Sequence, residues 1–559
     1  MLRKSGRFLI GALVCLTVLL QCDCCDASDT WERYDFLRAR ALTLSPKEQV
    51  QLGIKYFHGQ GVQQNRVVAV DLFRWAANQG YTEGQEWLGH CLETGRGVVN
   101  DQKLAVKWYR NAAEQGHSGS QCHLGRCYYH GIGLKQNYEE ALKWFRLSAE
   151  SRNRNALNWI GVCHYFGRGI EQNYELAVHW YEQAAARNSK EALSNLGYCL
   201  QYGLGIEINL TRAVECYRKS AELGYAKAQE HLANCYYHGR GVEKNRATAF
   251  GWYKKAALQE EASATNWVGW CYEQGYGVER NPVEAVKWYQ KSIEQKPTID
   301  AIMNLARCHR SGIGTSPDVP KAFSFYLQAA EMEHPAALNE VGYCFESGTG
   351  VEKDHAQAIR YYQLAADAGH IQAQTNLGLC YEYGRGAEVD LEKGFQWYQK
   401  AVEGKNPQGM HRLAMCYQFG RGVTKDEWRA VELYRQAAEL GYSASWNELG
   451  LCYEHGRGIE KDLAKAFEYY QAAANAGDNW GRNNLALCYE YGRGTEVAPE
   501  KAFEWYLKAG EENHPRAMYR LGLCYSHGLG VEQSEEKSAQ WIKKAADRGD
   551  SYAIKYLEN

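Results

Sequence analysis

Proline is scarce, with 9 in 559 residues, which leaves little room for Pro-rich spacers between independent domains. An excess of either charge is also missing. The 64 Lys and Arg nearly cancel the 66 Asp and Glu, for a net charge of −2. That balance argues against holding nucleic acid or an acidic membrane surface through bulk charge. Beyond residue 20 no apolar run approaches the roughly 20 residues a membrane-spanning helix needs. There is no phosphate loop ending in Gly-Lys-Ser/Thr and no His-Glu-x-x-His. Glycine, cysteine and aromatic residues are abundant: 55 Gly, 19 Cys and 13% Phe, Trp and Tyr. With 45% hydrophobic residues the chain is expected to fold rather than stay disordered.

The first 27 residues read as a targeting segment. Arg3, Lys4 and Arg7 precede an apolar run from Phe8 to Leu20 broken only by Thr17. The run is too short to span hydrocarbon but fits a signal-peptide core, with small residues at Cys25 and Ala27 for cleavage. An uncleaved anchor is the alternative. A lipidated Cys22 fits poorly, because Gln21 is bulky before an acylated cysteine. Residues 28–44 form a lead-in. The last four residues are not an ER-retention signal.

From residue 45 onward a fixed period takes over. Cysteines stand at 91, 127, 163, 199, 235, 271, 308, 344, 380, 416, 452, 488 and 524. Every interval is 36 residues except Cys271 to Cys308, which is 37, and Lys55 holds the equivalent place one period earlier. Each of these 14 anchors is followed by glycines at +4 and +6, which together account for 28 of the 55 glycines. A length of 559 residues would ordinarily suggest three or four domains, but this register indicates one repeat array over 45–559.

One unit reads as two helices. Around Cys380, the residues Ala373, Leu377 and Tyr381 keep three- and four-residue spacing up to Gly384-Arg385-Gly386. A second periodic stretch follows through Gly394, Trp397-Tyr398 and Ala401. The first glycine supplies a left-handed end for the first helix. Ten residues after the anchor stands Asn or Asp in 12 of 14 units, from Asn65 to Asp462, suited to cap the second helix. Ser534 fills the same place, whereas Ala498 relies on Pro499 at the first helical position. Ser45-Pro46-Lys47-Glu48 is a capping box that opens the array. Ala553 and Leu557 begin a further first helix, half a unit that would serve as a C-terminal cap.

The motif Ala-x3-Leu-Gly-x-Cys-Tyr-x2-Gly-x-Gly, followed by Asp/Asn, Ala-x2-Trp-Tyr and Ala-Ala, resembles the Sel-1-like repeat family, a relative of the tetratricopeptide solenoids. The resemblance covers about nine tenths of the chain. It implies an all-α fold, a right-handed superhelix of about 14 helix pairs, and a scaffold or adaptor that binds other proteins, often outside the cytoplasm. Family members include ER quality-control adaptors and secreted bacterial repeat proteins. The sequence departs from the former in having no second domain or C-terminal membrane span, and from the latter in having one cysteine per unit rather than two.

Equivalent residues on stacked helices lie about 8–10 Å apart, beyond the roughly 7 Å that a disulfide's α-carbons allow. The lattice cysteines are therefore expected to be buried apolar residues. No second ligand recurs with them, so a metal ladder is not expected. Cys216 sits off the lattice on a second helix and leaves open a bridge to Cys199 or Cys235. Cys122 is too close to Cys127 on one helix to bridge it. Cys163-His164 and Cys308-His309 resemble nucleophile–base pairs, but both histidines occupy the usual tyrosine place and read as packing residues. Histidines at +3 (His58, His130, His238, His455, His527) read as helix ends. Asn209-Leu210-Thr211 is the only glycosylation sequon, in competition with the capping role of Asn209.

The reading is thus a non-enzymatic exported scaffold with no cofactor or metal, for one or more protein partners, not nucleic acid. It is expected to be monomeric, without a membrane span once the signal is removed, and located in the ER lumen, the periplasm or outside the cell. An ER-luminal quality-control adaptor, a surface glycan- or cell-wall-binding protein, and a secreted hydrolase are the alternatives. Specificity is expected at −5, −1 and +2 from the anchor, on the face opposite Leu and Cys. At −1 stand Tyr198, Trp270, Tyr343, Leu379, Met415, Leu451, Leu487 and Leu523. They would form an apolar stripe for a partner, or else border the core against the neighbouring helix. Glu382, Glu454 and Glu490 are placed to pair with Arg385, Arg457 and Arg493 three residues on.

Overall fold

The computed structural model describes residues 43–558. Twenty-nine α-helices and no strand occur among these residues. The expected targeting segment and most of the lead-in lie outside the described residues. The helices gather into two compact units, one ending at Asn281 and one starting at Pro282. The boundary falls between the two helices of the Cys271 repeat.

Each repeat is a pair of 12- to 14-residue helices, as in Ile371–Tyr383 followed by Leu391–Glu403. The first helix ends at Gly384, whose φ of 67° is left-handed and whose N–H returns to the Cys380 carbonyl. The second starts at Asp390, whose carboxylate accepts from the Lys393 N–H at 2.9 Å. That cap contributes about 1 kcal/mol. The Asp390 N–H donates to the Tyr381 carbonyl (2.9 Å) and closes the turn. Eleven of the Asn and Asp caps expected from sequence are formed in this way. Ser534 also caps, while Ala498 does not and Pro499 follows it. Ser45 and Glu48 form the reciprocal box.

The glycine at +6 has a role the sequence did not disclose. A Cβ built on Gly422 would lie 2.1 Å from the Leu391 carbonyl oxygen, on the second helix of the preceding repeat. The same backbone approach recurs from Gly97 to Gly530. Only Gly61, in the first repeat, has nothing within 4 Å. The Gly-x-Gly turn is therefore a helix terminator and, through its second glycine, a docking point between repeats.

Inside most pairs a second-helix tyrosine fills the space left by a glycine two before the anchor, with Phe73, Phe145 or Ile542 in its place in three pairs. Tyr398 is fully buried, and a Cβ on Gly378 would meet its ring at 2.5 Å. Burying such a ring stabilises by about 2 kcal/mol. Ala414 and Ala486 hold the same place against Tyr434 and Tyr506, so a small backbone shift admits one methyl group. All lattice cysteines are buried among these residues.

Candidate partner-binding face

The residues at −1 lie along the edge of the core. Tyr198 and Tyr343 are exposed, at 37% and 47%. Trp270, Leu379, Met415, Leu451, Leu487 and Leu523 are half-buried. Leu379 and Met415 pack against the cluster around Leu413, and Leu451 and Leu487 against the cluster around Leu485. These four thus serve the core and show one flank outward.

The positions −5 and +2 correct the expectation of an outward face. Asn158, Asn339, His411, Asn447 and Asn483 at −5 are buried, as are Glu382 and Gln418 at +2. Successive first helices stack closely enough that these side chains meet the neighbouring repeat instead of solvent. At −5 an asparagine accepts from the −4 asparagine of the next repeat: Asn195 to Asn158 at 3.0 Å, Asn376 to Asn339 at 3.0 Å, Asn484 to Asn447 at 2.8 Å.

The predicted ion pairs within one turn are also replaced. Glu382 accepts from the Tyr398 hydroxyl (2.6 Å) and from Arg421 of the next repeat (2.8 Å), not from Arg385. Arg385 reaches back to Glu346, and Arg493 to Glu454, both at 2.8 Å. Glu490 pairs with Arg520 (3.4 Å). The buried tyrosine hydroxyl needs an acceptor, and the +5 arginine of the next repeat reaches that carboxylate across the joint at Glu346, Glu382 and Glu454, while Glu490 takes the −4 arginine instead. The spacing of 39 residues is readable in the sequence, but only once the stacking of repeats is known.

At +3 the sequence reading noticed histidines, which do end first helices, and passed over rings at the same place. Phe166, Tyr202, Tyr383, Phe419 and Tyr491 are about half exposed. Arg385, Arg421 and Arg493 lie 5.2–5.3 Å above the rings of Tyr383, Phe419 and Tyr491, and Arg168 above Phe166 at 5.0 Å. The aromatic-x-Arg doublets were the available signal. Each pair offers a flat apolar face beside a fixed cation, the composition of an interface hot spot.

Three cavities open in the first unit, one of them, of about 460 Å³, between Glu182 and Lys219; the other two border first helices. One, of about 360 Å³, is polar and includes Glu86, His123, Asn158 and Glu191 in its lining. The other, of about 320 Å³, is walled by Tyr165, Phe166, Tyr181 and Tyr198. Glu86 and His123 stand 3.6 Å apart. Burial pushes the His123 imidazole down to about 3, so it is neutral near pH 7 and the contact is not an ion pair. Burial pushes the Glu86 carboxyl up to about 7.

The cysteines make no disulfide among the described residues, and Cys216 bridges neither Cys199 nor Cys235. Burial raises their thiols, to about 12 at Cys127 and Cys452, so the thiolate that reacts with oxidants is suppressed. His164 and His309 are buried, and His309 stacks on Phe325 at 5.8 Å. Both are held below the usual imidazole range by burial. No group of three or more His, Cys, Asp or Glu side chains is arranged to hold a metal among the described residues. No described helix is long and apolar enough to cross a membrane. Asn209 uses its side-chain oxygen to accept from the Arg212 N–H (2.9 Å), as a cap.

The Sel1 repeat profile matches fourteen segments between residues 49 and 550. A solved protective antigen of uropathogenic Escherichia coli with an SLR fold is similar at 26% identity and a TM-score of 0.58, covering 86% of this chain and 95% of its own. A Sel1 repeat protein from Oxalobacter formigenes is 32% identical, with a TM-score of 0.42, covering 45% of this chain and all of its own. No curated protein sequence matches.

Proposed function

The chain belongs to the Sel1 repeat family, a group of tetratricopeptide-related α-solenoids, and from that premise we propose that it is an exported, non-enzymatic scaffold that grips protein partners with the exposed ends of its first helices. A repeat solenoid of this type points to protein interaction. The observation that carries the reading is the series of exposed rings at Tyr343, Tyr383, Phe419 and Tyr491, three of them under an arginine. Aromatic and arginine side chains held in place before binding lose little entropy on contact, and they dominate interface energies.

Export rests on the basic-then-apolar pattern of residues 1–27 and on the Escherichia coli relative, a protective antigen. The buried, protonated thiols are compatible with an oxidising compartment, whether ER lumen, periplasm or the outside. A catalytic role lacks support at the two Cys-His pairs, whose histidines are packed inside the repeats.

Affinity capture of the mature chain with chemical cross-linking tests the reading. The variant Tyr343→Ser/Tyr383→Ser/Phe419→Ser/Tyr491→Ser should lose the partners identified with the wild type while keeping its helical circular dichroism. Retention of the same partners by the folded variant would overturn the assignment. These rings are better probes than Leu451 and Leu487, whose replacement would also disturb the core.

A further inference from the structure

We propose that the first helix of the Cys163 repeat, Arg154–Phe166, is a receptor for an extended peptide segment carrying a lysine or arginine and, about three residues away, a bulky apolar side chain. This rests on the protein-binding reading above and names a partner chemistry for one place in the first unit.

The polar and the aromatic cavity of that unit both open along this helix. Asn158 and Trp159 line the polar one, and Val162, Tyr165 and Phe166 the aromatic one. Asn158 and Tyr165 are seven residues apart, about 10 Å along an α-helix. An extended chain covers that distance in about three residues.

The hydrogen-bonded pair Asn158–Asn195 joins the two cavities, since Asn158 lines the first and Asn195 the second. Asn158 is 94% buried, being 6% exposed. Its side-chain oxygen is taken by Asn195, while its Nδ2 has no protein acceptor and the Asn195 Oδ1 has no protein donor. One donor and one acceptor of the pair remain for the carbonyl and N–H of a passing peptide group.

Charge selects the side chain for the polar cavity. Arg126 is neutralised by both oxygens of Glu93 at 2.6 Å, and His123 is neutral. Glu86 and Glu191 therefore make the cavity acidic, and although Arg126 also lines it, neither carboxylate forms an ion pair with a Lys or Arg of the chain. Burial, and after it the Glu83 carboxylate, raises the affinity of Glu86 for a proton, and a cation seated beside it would offset both. An ammonium or guanidinium group supplies it, and Trp159 provides a ring for the aliphatic stem. A phosphate or nucleic-acid backbone would meet the two carboxylates with like charge. Beside Asn195 the aromatic walls, with Tyr198 exposed at the rim, take the apolar residue.

The test uses the full chain and two hexapeptides capped at both ends, AKAAFA and AFAAKA, which carry the two residues in either order. Titration calorimetry should show saturable binding of at least one. Replacing Lys by Glu in that peptide, or Phe by Ser, should weaken binding at least tenfold. Glu86→Gln/Glu191→Gln should remove most of the preference for Lys over Glu, and Tyr198→Ser most of the preference for Phe over Ser. Should the double variant lose helicity, Glu191→Gln alone, at a half-exposed position, gives the same readout with a smaller effect. Equal binding of the Lys and Glu peptides, or no binding of either order, overturns the proposal. So does a β-glucan oligosaccharide that binds at the Tyr198 wall where the peptides do not. If the peptides fail while the ring-stripped variant of the second unit still loses its captured partners, this inference falls and the scaffold reading stands. If both fail, both fall.

Discussion

Residues 337–531 and residues 82–241 are built from the same repeat, yet they treat their buried polar groups differently. In the former, Glu346, Glu382, Glu454 and Glu490 each accept from a tyrosine of their own repeat and an arginine of the next. Edge-to-face pairs such as Phe395–Tyr417 and Phe467–Tyr489 join consecutive repeats there at 5.4–5.5 Å. In the latter, Glu93 alone has such a tyrosine and arginine. Tyr217 donates to the neutral Gln201, and Glu86 and Glu230 are mostly buried; the former stretch has one such neutral acceptor, Gln418 for Tyr434, and one such buried carboxylate, Glu448. One stretch spends its polar side chains on the joints between repeats. The other has a single joint of this kind and places Glu86 and Glu191 at a cavity. The carboxylate joints tie consecutive repeats of the regular stretch together, while both stretches keep buried polar atoms without a partner, such as Arg126 Nε in one and Gln374 Oε1 and Asn483 Oδ1 in the other.

The largest effect should appear where the two stretches are alike. Gly205 and Gly422 both approach the backbone of the preceding second helix, at 2.2 and 2.1 Å from an added Cβ. Gly205→Ala and Gly422→Ala should each destabilise their own unit by more than about 3 kcal/mol, combining left-handed strain with a separated joint. Gly61→Ala carries the strain alone, about 1–2 kcal/mol. Hydrogen exchange resolved by repeat measures this directly, since a repeat array need not unfold as one step. Equal costs at all three sites would show that the +6 glycine is only a turn residue.

Next comes the contrast itself. Glu382→Ala strips Tyr398 and Arg421 of a shared, buried acceptor and should cost about 2–4 kcal/mol. Gln201→Ala removes one neutral hydrogen bond, from Tyr217 at 3.2 Å, and should cost about 1 kcal/mol. Chemical denaturation followed by exchange at the tyrosine-bearing helices reads both. If the two losses match, the carboxylate ladder adds nothing to what glutamine provides.

The period, the helix pairs, the caps and the burial of the cysteines were legible in the sequence because each is local. A 36-residue register, a capping side chain and a left-handed glycine act within a few residues of themselves. The joints were not legible. Glu382 looked like the partner of Arg385 because i,i+3 spacing is the only geometry a single helix offers. Its real partners, Tyr398 and Arg421, lie 16 and 39 residues away. For the same reason −5 was taken as an outer place. Asn158 is polar, and nothing in one repeat says that Asn195 will cover it. The rings at +3 were missed for another reason: the place alternates between histidine and aromatic residues, and only the histidines were read.

The smallest effect concerns Glu86 and depends on pH. Its folded-state pKa is pushed up to about 7, first by burial and then by the neighbouring Glu83 carboxylate, while an unfolded glutamate titrates near 4.3. Between these values the folded chain holds a proton that the unfolded chain has lost, so the stability of the first unit should fall as pH rises through that window and level off above it. Glu86→Gln removes the titration. Relative to wild type it should gain about 1–2 kcal/mol above pH 7 and nothing below pH 4, as read from denaturation midpoints across that range. A lysine peptide seated beside Glu86 would supply the missing counter-ion and flatten the wild-type slope in the same way, whereas no charge added to the second unit should alter it. A slope that persists in Glu86→Gln would assign the acid side of the profile to Glu230 and would remove the asymmetry of charge on which the polar cavity depends.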